Sequence, residues 1–280
     1  MALPSDKQPA SPQLAPYSAI ADRLARLAAA VLIALLLTLL LLPLVALLLR
    51  VPLGQFVGYL GSPVVQQALG VSLLTSTAAL LLTMLTATPL AYLLARARFP
   101  GHRLLETLVE LPLVLPPAVA GIALLFAFGQ RGLLGSSFRA WGINIAFSTL
   151  AVVIAQTFIA APFYLKAARL GFAGIAIEVE EAAKVDGAGL WARFRLISLP
   201  LAMPGLIEGV VLCWARALGE FGATILFAGN YVGRTQTMPL AIYSAFEGGS
   251  SLEEGIVLST ILVVASFSLL LSFKLLVRNR

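Results

Sequence analysis

The chain has 280 residues, 60% hydrophobic and only 11% charged, with a formal net charge of +6 and a mean hydropathy of +0.96. Soluble chains average about 25% charged residues, so a soluble globular protein is excluded and an all-α polytopic membrane protein is expected. The positive charges stand singly at the ends of apolar runs, which is a pattern of membrane orientation and not of nucleic-acid binding, and the single cysteine, Cys213, excludes an internal disulfide.

Residues 1–22 are rich in Pro, Ala and Ser and are predicted to be a disordered cytoplasmic N-terminus; 23–280 form the membrane domain. The uncharged run Leu27 to Leu49, bracketed by Arg23, Arg26 and Arg50, is a first spanning helix. It exceeds a secretory h-region and no small-residue cleavage site follows, so no signal peptide is expected. Val51 to Ala95 is too long for one span and opens on Pro52, Gly54, Gly58, Gly61 and Pro63. It reads as an outer loop and a second helix from about Leu69 to Leu94. Arg96, Arg98, His102 and Arg103 mark the inner side. A third helix lies between Glu110 and Arg131. Its Pro112, Pro116 and Pro117 predict a bend, either beside a pore or as a packing kink. A Gly-rich outer loop, 129–145, precedes a fourth helix from about Ala146 to Leu165, with Lys166 and Arg169 at its inner end. The fifth helix runs from near Pro200 to about Leu226, an outer segment spans Phe227 to Glu254, and the last helix covers Gly255 to Phe273.

These six spans with both termini inside leave only Arg50, Arg131, Arg139 and Arg234 outside, and Arg216 within the membrane; every other Lys and Arg is cytoplasmic. That asymmetry fixes the orientation and places the polar stretch before the fifth helix in the cytoplasm.

This stretch, 178–199, is read as helix, turn, helix. Val179, Ala182 and Ala183 make a small apolar face, Glu180 and Lys184 have the spacing of an i,i+4 pair, Gly187 closes the turn, and Ser198 with Pro200 is expected to cap and restart a helix. Glu181-Ala182-Ala183, three residues, Gly187, nine residues, then Ile197-Ser198-Leu199-Pro200 resembles the signature loop of ABC-importer permeases at every fixed position. The resemblance implies a coupling helix, with Glu178, Glu181, Ala182, Ala183, Asp186 and Gly187 at a cleft in a separate ATPase subunit.

The fifth helix carries the clear intramembrane charges. Arg216 lies roughly 24 Å beyond Pro200, in the outer half, and a lone arginine near mid-membrane costs about 3 kcal/mol on insertion scales. Glu220 follows at ion-pair spacing. The pair either faces a water-filled passage, where the guanidinium meets a passing oxyanion, or is a structural pair or a contact between subunits with no role in the solute path. Glu208, two turns from the inner end, is a gating or packing candidate. Glu106 and Glu110 beside Arg103 read as a solvated interfacial set. The one His and one Cys lie on different segments, so neither a metal site nor a catalytic set is expected. No G-x-x-x-x-G-K-[ST] loop occurs. Taken with the resemblance of the coupling loop, that absence implies that this chain binds no cofactor and that ATP and magnesium are used by a partner ATPase.

A second block, Trp214 to Asn230 and Gly233 to Tyr243, resembles permeases of the molybdate branch and, less closely, sulfate and thiosulfate permeases. It implies a type I importer in a bacterial or archaeal cytoplasmic membrane, with two permease copies forming a homodimer, two P-loop ATPases and a periplasmic or lipid-anchored solute-binding protein. Asn230, Arg234 and Gln236 are candidates for docking that protein or for brief anion contact. The expected cargo is molybdate, with tungstate, sulfate or thiosulfate as alternatives. A secondary transporter would carry inverted repeats, and none is visible in the sequence.

Overall fold

The computed structural model describes residues 17–249 and 251–278, and among these the chain is helical without strands. The described residues fall into two compact units, one up to Arg50 and the other from Val51 onward. The first contains α1, Tyr17–Leu49, a 33-residue helix with Pro43 inside it. At ~1.5 Å per residue it measures about 50 Å, more than a bilayer core requires. Its start at Tyr17 shortens the expected unstructured N-terminus; residues 1–16 lie outside the described residues.

The second unit begins with the short α2, Phe56–Leu60, and the long α3, Pro63–Arg96. After α3 come α4, His102–Glu110, a 3₁₀ turn at Leu111–Leu113, and α5, Pro117–Phe128. The bend expected in the third helix is a full break: the segments before and after the prolines diverge by 112°. The cause is local. Pro116 sits in extended backbone (φ −55°, ψ 132°) because the residue before a proline avoids the helical region, and Pro117 then starts α5. The Gly-rich outer loop contains α6, Gly135–Ala140, and leads to α7, Thr149–Ala173, which carries Lys166 and Arg169 within the helix.

The polar loop forms α8, Ile177–Val185, and α9, Leu190–Arg193; a π-turn at Phe194–Ser198 then joins α9 to α10, Leu199–Leu218. The fifth helix thus ends at Leu218, short of the expected Leu226. Gly219 to Phe221 break it, and α11, Gly222–Ala228, sets off anew. The outer segment holds α12, Met238–Phe246, and α13 covers Leu252–Arg278. Five helices among the described residues are long and apolar enough to cross a membrane, with a sixth crossing if the bent α4–α5 pair counts as one.

Helix α7 is the hub, packed against α10 and α3, with α5 and α11 beyond them. Two apolar cores meet on it. One joins Ala87, Ala91 and Leu94 of α3 to Ala160, Tyr164, Ala168 and Phe172 of α7 and Ala202, Leu206 and Cys213 of α10. The other joins Ala120 and Leu124 of α5 to Val152, Ala155 and Ile159 of α7 and Ala223 and Phe227 of α11. Within lipid, small residues let helices approach and gain dispersion contacts. The α7–α10 crossing shows this: a β-carbon on Gly205 would lie 2.7 Å from the α-carbon of Gly171.

Candidate functional site

The polar loop before α10 folds as its local chemistry dictates. Glu178 and Glu180 lie in the first turn of α8 and Lys184 in its last, matching the helix dipole. Gly187 takes φ +85°; its N–H reaches Lys184 O at 3.1 Å, and the N–H of Ala188 reaches Ala183 O at 2.9 Å. These two bonds make a Schellman turn, which explains the need for glycine. Glu178, Val179, Glu181, Ala182 and Asp186 are exposed and Ala183 is half-buried, so the small-residue face is open.

The opposite side of α8 differs from the expectation. Glu180 does not pair with Lys184; it turns inward and is 6% exposed. Its Oε1 accepts from Arg96 Nε at 3.0 Å and from Ser198 Oγ at 2.7 Å, and lies 3.0 Å from Arg96 Nη2. Arg96 Nη2 also donates to Ile175 O at 3.0 Å. Ser198 therefore caps no helix. The π-turn carries its hydroxyl toward Glu180 and, at 3.3 Å, toward Arg193 O. Beside this cluster Tyr92 packs edge to face on Phe172 and Phe194, with centroids 5.3 and 5.1 Å apart, and the two Phe rings lie tilted at 6.1 Å. A cavity of about 680 Å³ opens beside it, between Leu93, Arg96, Lys184, Trp191 and Arg193.

Nearby on α4, Glu106 pairs with Arg169 of α7, and His102 Nδ1 lies 3.9 Å from it, so Glu106 tethers α4 to α7 and is not the solvated partner of Arg103. His102 Nε2 lies 2.9 Å from Leu94 O. Glu208 is exposed on α10 and lines a cavity of about 360 Å³ with Lys166, Phe163 and Leu113.

At the far end of α10 from the polar loop, Arg216 and Glu220 do meet, with Nη1 2.7 Å from Oε2. The contact is off the N–H axis, so it is an ion pair and not an aligned hydrogen bond. The pair does not lie along one helix. Glu220 sits in the break after α10, where its Oε1 accepts the N–H of Ala223 at 2.8 Å and caps α11. Glu220 is 1% exposed and cannot face an aqueous passage, whereas the Arg216 side chain keeps 28% of its surface open.

The outer candidates separate. Arg234 is exposed, and its carbonyl accepts from Thr149 Oγ1 at 2.9 Å. Gln236 is buried, and its amide approaches Ser244 Oγ at 3.4 Å, while Asn230 Nδ2 donates to the same oxygen at 2.7 Å. Gln236 therefore presents no side chain to a partner. The exposed Tyr231 and Val232, between the positive-φ Gly229 and Gly233, are the loop's outward apolar residues, which sequence reasoning missed. It also missed Gln156 of α7, wholly buried with both amide atoms unpartnered. Arg96 and Ser198 were equally overlooked: the first looked like an orientation charge, the second like a cap.

The family described as binding-protein-dependent transport system inner membrane component matches residues 87–278. The molybdenum transport system permease protein ModB of Mycobacterium tuberculosis is 43% identical over 225 residues, 80% of this chain and 84% of that protein. That of Escherichia coli K12 is 44% identical over 66% of this chain and 82% of its own. The sulfate transport system permease protein CysW of Synechococcus elongatus is 34% identical over 70% of this chain and 68% of its own. Among solved structures, a chain of a bacterial ABC transporter that imports the polysaccharide alginate superposes with a TM-score of 0.73 at 18% identity, covering 92% of this chain and 96% of that one. A chain of the MetNI methionine ABC transporter superposes at 0.57 and 17%, covering 77% and 94%.

Proposed function

The chain belongs to the binding-protein-dependent transport system inner membrane components, and from that membership we propose that it is the membrane-spanning subunit of an ATP-driven importer whose cargo is molybdate. The observation that carries the coupling role is the open face of α8: small side chains on a rigid, Schellman-closed helix, with the opposite face bolted to the bundle. Val179 and Ala182 fit a cleft in an ATPase, flanked by Glu178, Glu181, Ala183 and Asp186. The energy comes from that partner, which binds ATP and magnesium, and this chain contributes no catalytic group. Two copies of the chain, two ATPases and an external solute-binding protein complete the assembly, with both termini cytoplasmic.

Molybdate as cargo is supported by 43–44% identity with molybdenum permeases against 34% with the sulfate permease. A tetrahedral dianion is carried best by a route with few fixed cations, because a deep charged site would trap it. Arg216, half neutralised by Glu220, supplies one weak cationic contact in the outer half, and the Tyr231–Arg234 loop receives the binding protein. Sulfate transport is the second reading, favoured by the relatedness to CysW.

The test is reconstitution of the chain with its ATPase and binding protein in proteoliposomes. Molybdate-loaded binding protein should stimulate ATP hydrolysis and drive uptake. Stimulation by sulfate alone would transfer the assignment to the second reading, and no stimulation by any oxyanion would end the importer proposal.

A further inference from the structure

We propose that Glu180 is the joint through which movement of α8 reaches two membrane helices at once, with Arg96 and Ser198 as its positioning residues. The inference rests on the importer reading above. It starts from one atom: Glu180 Oε1 takes contacts from Arg96, the last residue of α3, and from Ser198, the last residue of the π-turn that opens α10. Arg96 reaches back as well, to Ile175 O in the link between α7 and α8. Four segments therefore converge on one buried carboxylate and one guanidinium whose side chains are 8% and 14% exposed.

Charge-assisted hydrogen bonds are short and directional, and at low dielectric they strengthen one another. The signature's small residues face outward and Glu180 faces inward, so a push received on one side of α8 is delivered on the other. The π-turn suits this role, because such turns interrupt regular helix bonding and cluster at functional sites. It turns Ser198 inward and leaves α10 free to tilt about the Phe194 end. The aromatic cluster of Tyr92, Phe172 and Phe194 backs the joint against α7. Without the ion-paired oxygen, α8 would keep its docking face and lose its hold on α3 and α10.

The experiment uses the full complex of permease, ATPase and loaded binding protein in proteoliposomes, and reads anion uptake per ATP hydrolysed. Two variants cut separate arms: Ser198→Ala releases α10, and Arg96→Gln releases α3 and Ile175. For Ser198→Ala the ATPase should co-purify at the wild-type ratio while uptake per ATP falls about tenfold, the factor that corresponds to one hydrogen bond to a charged group of about 1.5 kcal/mol. Arg96→Gln should lower the ratio at least as far in whatever complex forms. A merely structural role would reduce the amount of complex and leave the ratio unchanged, and that result in Ser198→Ala overturns the joint even if Arg96→Gln fails to fold. Failure of the unaltered complex to import any oxyanion would instead overturn the importer reading, which separates the two failures.

Discussion

Gly205 sits where α10 crosses α7, and replacing it by Ala tests whether the crossing is set by backbone proximity. The new β-carbon would lie 2.7 Å from Gly171 Cα and 3.0 Å from Ala167 O, both backbone atoms that no rotamer change can move. Carbon atoms rest about 3.5–4.0 Å apart, so the helices must part by roughly 1 Å. Overpacking of this kind costs about 1–3 kcal/mol, against a gain of about 1 kcal/mol from placing alanine in a helix. The net is a loss of about 1 kcal/mol. Gly70→Ala in α3 is the matched control, since its β-carbon meets nothing within 4 Å and the helical gain stands alone. The two variants should therefore differ by about 2 kcal/mol, or several degrees in the thermal midpoint of the detergent-purified protein at about 2–4 °C per kcal/mol. A Gly205→Ala midpoint equal to or above that of Gly70→Ala would refute the close-contact account of the α7–α10 crossing.

Four other outcomes follow from the geometry. Ala182→Trp places a bulky ring on the exposed face of α8; it should leave the permease midpoint within about 0.5 kcal/mol of wild type and abolish ATPase co-purification. Gly187→Ala forces an L side chain to φ +85°, at a cost of about 1–2 kcal/mol, and should speed amide exchange across 183–188, whereas Gly187→Asn should exchange nearly as wild type. Arg216→Ala leaves Glu220 buried and unpaired and should cost about 3 kcal/mol in midpoint stability; adding Glu220→Gln should recover much of it, and uptake should stay low if the guanidinium serves the anion. Gln156→Met removes a buried amide without partners and should stabilise the protein by about 1–3 kcal/mol, as read from the same thermal midpoints.

Much of this molecule is visible in its sequence because the bilayer enforces its own grammar. Uninterrupted apolar runs such as Leu27–Leu49 are long enough to be spans. The left-handed turn at Gly187 was equally visible, since residue type and backbone conformation are linked there. Placements that depend on which helix lies next door were hidden. Glu180 has a lysine at the right spacing along its own helix, and only the nearness of Arg96, 84 positions away in the chain, turns it inward. Ser198 has the chemistry of a cap, yet the π-turn makes it a donor to a carboxylate. The end of α10 was missed because Glu220 continues the helical spacing of Arg216 while its carboxylate is committed to the first turn of α11. Three prolines announced a bend after Glu110, but not its size of 112°, nor that α5 beyond it would pack on α11 so closely that a β-carbon on Gly121 would stand 2.8 Å from Ala223 O.

The most direct measurement is accessibility of a cysteine at position 182 in membrane vesicles, with the wholly buried Cys213 as the unreactive background. Ala182→Cys should react with a membrane-impermeant maleimide from the cytoplasmic side only, and adding the ATPase subunit should block the reaction. Labelling from the outer side, or labelling that the ATPase leaves unchanged, would contradict the assignment of α8 as the helix that receives the ATPase.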